Sequence, residues 1–250
     1  DTTGTFAVVS EQLKAAVLEN KEAQLIVLPE SIFVPTFKTE EDVRLTELRS
    51  MLNKNQGLVF GCNTAEGQKT YNSMGFIQNV PSDHFAFYRK QKLLLLGEYL
   101  PLMKYTPRLA EKISQLTHTN EFDAGEKSVA FSFNEFKVLP FICIESMYGL
   151  WVAKINHELN DTDLLINITE DGCFGTSKAS ALHLNALVFR AIEMRKPLIR
   201  CVNVGYSSFT NEWGEENIMD LTGHTIHQLN PSSKYHLVGK ISKRSVFSFY

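Results

Sequence analysis

Gln24-Leu25-Ile26-Val27-Leu28, ending at Pro29-Glu30, is the stretch on which the fold turns. A short continuous apolar run, stopped by proline, reads as a buried strand rather than one alternating between core and water. A helix from about Glu11 to Asn20 leads into it, and a polar helix near Glu40 to Asn53 follows. Gly57 to Gly61 reads as the next strand. Tyr71 to Gln78 and His84 to Tyr88 read as a strand pair joined by the turn around Pro81-Ser82-Asp83. After the loop Gln91 to Met103 comes a short helix near Pro107 to Leu116. The second half repeats the rhythm. Phe136 to Ile142, Asp163 to Ile168 and Leu198 to Asn203 read as strands, and Ser146 to Leu159 and Lys178 to Arg195 as helices. Tyr206 to Thr210 follows the last of these strands. Strands alternating with helices imply sheets covered by helices, and the strand pairings without a helix between them imply mixed sheets. The expectation is a helix-covered α/β sandwich in a single domain spanning 1–250, since neither repeat, linker nor charge block interrupts the chain.

The chain has 250 residues, enough to bury a substantial core. At 44% hydrophobic and 21% charged, the composition excludes a disordered scaffold. A net charge of −3 supplies no basic footprint for nucleic acid or anionic lipid. The four cysteines, Cys62, Cys143, Cys173 and Cys201, form no CxxC pair and have no histidines at metal-ligand spacing, so no metal site is expected. They leave the redox compartment open, because a chain of this size needs no disulfide staples. No apolar run approaches the ~20 residues that cross a bilayer. The opening Asp1-Thr2-Thr3-Gly4 carries neither an initiator Met nor a visible signal peptide, and reads as the start of a processed or excised piece.

Three chemically capable residues stand where core strands end: Glu30 after Leu25–Leu28, Lys90 after His84–Tyr88, and Cys143 after Val138–Ile142. Loops at the carboxyl ends of strands present side chains from a rigid frame, and α/β sites gather there. Alone, each has a blander reading. A Cys ending an apolar strand is most often a small buried hydrophobe, a Glu after a strand is usually solvated, and Lys90 lies between Arg89 and Lys92 in what could be a basic rim. The combination points to chemistry.

Pro29-Glu30-Ser31, Tyr88-Arg89-Lys90, Gly97-Glu98-Tyr99-Leu100-Pro101 and Cys143-Ile144-Glu145 together resemble the ordered signature of the nitrilase (carbon–nitrogen hydrolase) superfamily. The Gly97–Pro101 stretch resembles specifically its apolipoprotein N-acyltransferase branch. Agreement continues at Thr162-Asp163-Leu164-Leu165, Asp171 with Phe174-Gly175, His183, and Arg190-Ala191-Ile192-Glu193 with Arg195-Lys196-Pro197-Leu198. Asn203 with Gly205 completes a match running from Gln24 to the end.

The resemblance implies a nitrilase-like α-β-β-α sandwich with mixed sheets covered by helices, and a Glu-Lys-Cys triad of Glu30, Lys90 and Cys143. A thiol attacks an acyl carbon poorly until deprotonated, so a base within hydrogen-bond reach is needed, and Glu30 suits that role. Lys90 offers a fixed cation to the tetrahedral oxyanion and would also favour the thiolate. Glu98 is expected to orient Lys90 or Glu30, and Glu145 to position the loop after the nucleophile. Their plainer alternative is a salt-bridged carboxylate. Cys62 and Cys201 lie inside apolar strands and read as core packing. His183 and Arg190, seven apart on one helix, read as helix-packing residues. Leu93, Leu94, Leu95, Leu96 and Tyr99, with Leu100, Leu102 and Met103, crowd the loop after Lys90 and read as a substrate lid, with Gly97 as hinge. A local core beneath the loop is the rival for these leucines.

For function, the resemblance implies a bacterial acyltransferase of lipoprotein biosynthesis. An acyl chain passes from a phospholipid donor through a Cys143 thioester to the N-terminal amine of a diacylglyceryl-modified lipoprotein. No cofactor and no nucleic acid take part. The implied location is the periplasmic face of the inner membrane. Against the family pattern, a first core strand expected before Asp1 and the flanking transmembrane helices are missing. Glu170-Asp171-Gly172-Cys173-Phe174-Gly175 also lacks the bulky aromatic that the branch places before its Phe-Gly. Two rivals stand: a soluble nitrilase-type amidase in which water resolves the thioester, and a non-catalytic conjugal-transfer relative that keeps only the fold.

Overall fold

The computed structural model describes residues 2–38, 42–81, 84–99, 121–175 and 177–217. In chain order the described elements are α1 (Thr2–Glu19), β1 (Leu25–Val27), β2 (Phe33–Phe37), α2 (Val43–Ser50), β3 (Gly57–Glu66), β4 (Lys69–Gln78), β5 (His84–Arg89) and β6 (Phe131–Phe133). Then come β7 (Phe136–Ile142), α3 (Gly149–Glu158), β8 (Leu164–Thr169), α4 (Ala179–Met194), β9 (Leu198–Val202), β10 (Ser208–Thr210) and β11 (Glu216–Asn217). The helix expected near Pro107 to Leu116 lies outside the described residues.

Two mixed sheets result. In the first, β1 and β2 both run parallel along β3, and β4 and β5 follow antiparallel. The second has the order β11-β10-β9-β8-β7-β6, with β7, β8 and β9 parallel at its centre. Their facing surfaces enclose one apolar layer. Val59, Met74, Phe76 and Tyr88 come from the first sheet, and Phe131, Val138, Ile142, Ile166 and Ile168 from the second. Burying each such side chain contributes ~1.5–3 kcal/mol. Val9, Leu13, Leu45 and Leu48 of α1 and α2 pack on the outer face of the first sheet against Phe33, Phe60 and Ile77. Val152, Ile155, Leu187 and Ala191 of α3 and α4 cover the second. The layers therefore run helix, sheet, sheet, helix.

The structure departs from the sequence reading in extent. β3 runs to Glu66, because Gly67 at φ +60° opens the two-residue turn that pairs Glu66 with Lys69. Its polar outer half, Asn63 to Glu66, carries no apolar run to announce it. β2 and β6 were not anticipated. β2 contains Pro35, pairs with β3 alone and shifts register between Phe33 and Phe37.

Candidate active site

The candidate site is built where β1, β5, β7 and β8 end. Glu30 lies just beyond β1, where the chain crosses very close to β3. A Cβ on Gly61 would sit 2.5 Å from Glu30 Cα and 2.5 Å from the Pro29 carbonyl oxygen, so only glycine allows the approach. Lys90 follows β5 directly, its backbone N–H donating to the Asn72 carbonyl at 2.9 Å. Cys143 follows β7 directly and has φ +50°. A side chain in that left-handed region holds ~1–3 kcal/mol of strain and persists only where its surroundings enforce it.

The three side chains are buried together with a fourth and a fifth. Lys90 Nζ donates to Glu30 Oε1 at 3.2 Å and to Glu98 Oε1 at 2.8 Å. Asn72 Nδ2 donates to the same two oxygens at 2.7 and 2.6 Å. The other oxygen of Glu30 accepts from the backbone N–H of Glu170 at 2.8 Å, and the other oxygen of Glu98 from that of Leu94 at 2.8 Å. Buried charges survive only when paired and hydrogen-bonded, and this cluster meets that condition. Burial alone would depress the Lys90 ammonium, but Glu30, Cys143 and Glu98 outweigh it and hold it above its usual range. Sequence reasoning missed Asn72. Its signal was present, a polar Asn72-Ser73 pair between Tyr71 and the apolar Met74 to Ile77.

Burial and the nearby carboxylate of Glu30 push the Cys143 thiol up to about 12, against the opposing pull of Lys90 and a hydrogen bond with Thr169. Lys90 favours the thiolate, as expected, but burial and the carboxylates of Glu30 and Glu98 outweigh it, so the thiol stays protonated at neutral pH.

Glu145 is fully buried and accepts four hydrogen bonds. Oε1 takes Tyr88 Oη at 2.7 Å and the backbone N–H groups of Gln91 at 2.7 Å and Lys92 at 3.0 Å, while Oε2 takes that of Ile142 at 2.7 Å. It thus ties the segment after Lys90 to the strand before Cys143. Its carboxyl is pushed up to about 7 by burial, in spite of those donors.

His183 and Arg190 do lie on the buried face of α4, but both reach the turn after Cys143. His183 Nε2 is 3.1 Å from the Cys143 carbonyl oxygen, and Arg190 Nη1 donates to the Ser146 carbonyl at 2.8 Å. Cys62 is sealed in the outer core, and Cys201 Sγ donates to the Val27 carbonyl at 3.2 Å. Cys173 is the exposed cysteine, close to Glu170. In the proposed lid, Leu94, Leu95, Leu96 and Tyr99 are all exposed, Leu95 and Leu96 by about half, and Leu93 is half-buried. Leu100, Leu102 and Met103 lie outside the described residues. Among the described residues no cluster of three His, Cys, Asp or Glu is arranged to hold a metal, and no helix is long and apolar enough to cross a membrane.

Glu30 and Lys90 meet at strand ends, and Cys143 stands at the end of β7. Residues 1–244 match the family model for carbon-nitrogen hydrolases, and the chain belongs to that family. The relatives it resembles include apolipoprotein N-acyltransferases. That of Vibrio vulnificus is 28% identical over 79% of this chain and 40% of its own length. That of Bradyrhizobium diazoefficiens is 31% identical over 84% and 38%, and that of Rickettsia typhi 27% over 94% and 44%. The chain thus spans about two fifths of the length of the curated relatives it matches. Among solved structures, an amidase of the nitrilase superfamily from Nesterenkonia superposes with a TM-score of 0.59 at 16% identity over 86% of this chain and 79% of its own. Nit3 of Saccharomyces cerevisiae gives 0.63 at 14% over 86% and 79%. These likenesses establish the fold.

Proposed function

We propose that this chain is the acyl-transfer unit of an apolipoprotein N-acyltransferase-type enzyme, with Cys143 as nucleophile, Glu30 as base and Lys90 as the oxyanion's partner. The observation that carries the reading is the buried Glu30–Lys90–Glu98 cluster beside a strained Cys143, under a loop of exposed leucines. In the first step Glu30 takes the thiol proton as sulfur attacks the ester carbonyl of a phospholipid. The resulting oxyanion lies against the Lys90 ammonium. The ester C–O bond then breaks, the alcohol oxygen receives the proton from Glu30, and a lysophospholipid leaves. In the second step the N-terminal amine of a diacylglyceryl-modified lipoprotein attacks the thioester and gives its proton to Glu30. The C–S bond breaks and sulfur is reprotonated, leaving an amide. Glu98 holds Lys90 in place and Glu145 holds the two loops together. Metal or organic cofactors have no part in this chemistry. Such a reaction belongs at a membrane surface, and for this class we infer the periplasmic face of the bacterial inner membrane.

Intact-mass spectrometry after mixing with phospholipid tests the reading. The expected result is one acyl adduct on Cys143, absent from Cys143→Ser and from Glu30→Gln, and discharged by a diacylglyceryl peptide amine. Discharge by water with indifference to the amine would make the chain a hydrolase. Complete absence of an adduct would reject the thioester altogether.

A further inference from the structure

Next to Cys143 lies a second buried polar network that the two-step reaction does not use. His183 stands at its centre. Nε2 is 3.1 Å from the Cys143 carbonyl oxygen and 2.9 Å from Ser146 Oγ, and Nδ1 is 3.0 Å from Asp171 Oδ1. The Asp171 side chain is wholly buried and also accepts from Thr169 Oγ1 at 3.0 Å, Ser180 Oγ at 2.7 Å and Arg200 Nη2. The network therefore reaches the cysteine through its backbone carbonyl.

We propose that His183 is a positioning residue, whose imidazole, anchored by Asp171, holds the Cys143 backbone in the left-handed conformation that aims the thiol at Glu30 and Lys90. The inference rests on Cys143 being the acylated residue. At φ +50°, Cys143 has an ordinary extended or helical alternative that would carry the sulfur elsewhere. It is pinned on either side, by Glu145 on the Ile142 N–H and by His183 on its own carbonyl. A carbonyl can only accept, so the proposed hold on Cys143 requires hydrogen on Nε2, whereas the Ser146 hydroxyl turns to suit. Four donors around Asp171 keep that carboxylate from turning away. His183 is buried and its ring is taken up by these contacts, so it acts through Cys143 rather than on substrate.

Two substitutions in the full-length protein separate positioning from packing. The amide of His183→Gln reaches the place of Nε2 and keeps a donor for the Cys143 carbonyl. The amide of His183→Asn matches Nδ1, so it keeps Asp171 and falls short of the carbonyl. Acylation is followed with a water-soluble p-nitrophenyl acyl ester, whose C–O bond breaks as the Cys143 thioester forms and whose phenol leaves with the thiol proton. His183→Asn should acylate about 100-fold more slowly with KM nearly unchanged, the size of loss expected for a reacting group displaced by ~1 Å. His183→Gln should recover most of that rate at a similar melting temperature. Equal losses in both variants, in step with their melting temperatures, would overturn the proposal, as would a folded His183→Asn that acylates like the wild type. Should neither variant fold, the 15N spectrum of His183 in the wild type decides. Hydrogen on Nε2 supports the bond to Cys143, and a bare Nε2 rejects it. A wild type that forms no adduct is a separate result, which rejects the reading of Cys143 and not the role of His183.

Discussion

A thiol held at about 12 is a poor nucleophile at rest. Burial is the first cause of the shift, and the pull of the Lys90 cation does not undo it. In the proposed reaction the Glu30 carboxylate therefore takes the proton as the bond to carbon forms. The pH dependence of alkylation reads this out. Between the ordinary thiol value of 9.0 and about 12, Cys143 in the folded protein stays protonated where a free cysteine is ionised. Its reaction with iodoacetamide should therefore keep rising toward about pH 12, while exposed Cys173 reacts first at neutral pH. A rate for Cys143 that levels off well below pH 9 would show that the pull of Lys90 outweighs burial. Simple reactivity ranking is thus a poor detector of this nucleophile, and acyl capture is the better one.

At the scale of the element, the loop after β5 joins a rigid base to an apolar tip. Glu98 anchors the base through Lys90, Asn72 and the Leu94 N–H. The turn closes through Leu96 N–H on the Tyr99 carbonyl at 3.0 Å. A Cβ on Gly97 would come within 2.8 Å of the Leu94 side chain, an exposed side chain that can swing aside. Leu95 is 52% exposed, so it contributes little to the core. Leu95→Ser should then change thermal stability by less than ~0.5 kcal/mol, as surface substitutions do. Activity on a long-chain phospholipid should fall, and a short soluble ester should react almost as before. A loss of ~2–3 kcal/mol, the size of a buried leucine, would instead make the loop a local core.

Across the whole molecule, the two sheets divide the site between them. Glu30, Asn72 and Lys90 come from the first, Cys143 and Thr169 from the second, and Glu145 bonds to both. Its carboxyl binds a proton more tightly folded than unfolded, since burial raises it from 4.5 to about 7. Folded and unfolded chains hold this proton alike below about pH 4.5. Between there and pH 7 only the folded chain keeps it, so stability falls as pH rises through that window and then levels off. The raised carboxyl accounts for up to about 3 kcal/mol of that slope. Urea unfolding from pH 4.5 to 8 should show the slope in the wild type and lose it in Glu145→Gln. That variant is also less stable throughout, because its amide N–H₂ must face a backbone donor. An identical pH slope in both proteins would place its origin elsewhere.

The order of strands and helices, the mixed pairing, and the placing of Glu30, Lys90 and Cys143 at strand ends were all legible along the chain. Each depends on local apolar runs and the breakers that close them, and periodicity reports those. β2 and β6 were not legible, since Pro35 and a three-residue length remove the signal while a neighbouring strand supplies the pairing. The partners of the chemistry were hidden for another reason. Asn72 meets Glu30 from 42 residues away, and His183 meets Cys143 from 40, contacts that no local pattern encodes. Tertiary structure also decided the protonation of the nucleophile. The resemblance implies a cation that favours the thiolate, and the burial and carboxylates that folding brings to Cys143 outweigh that pull.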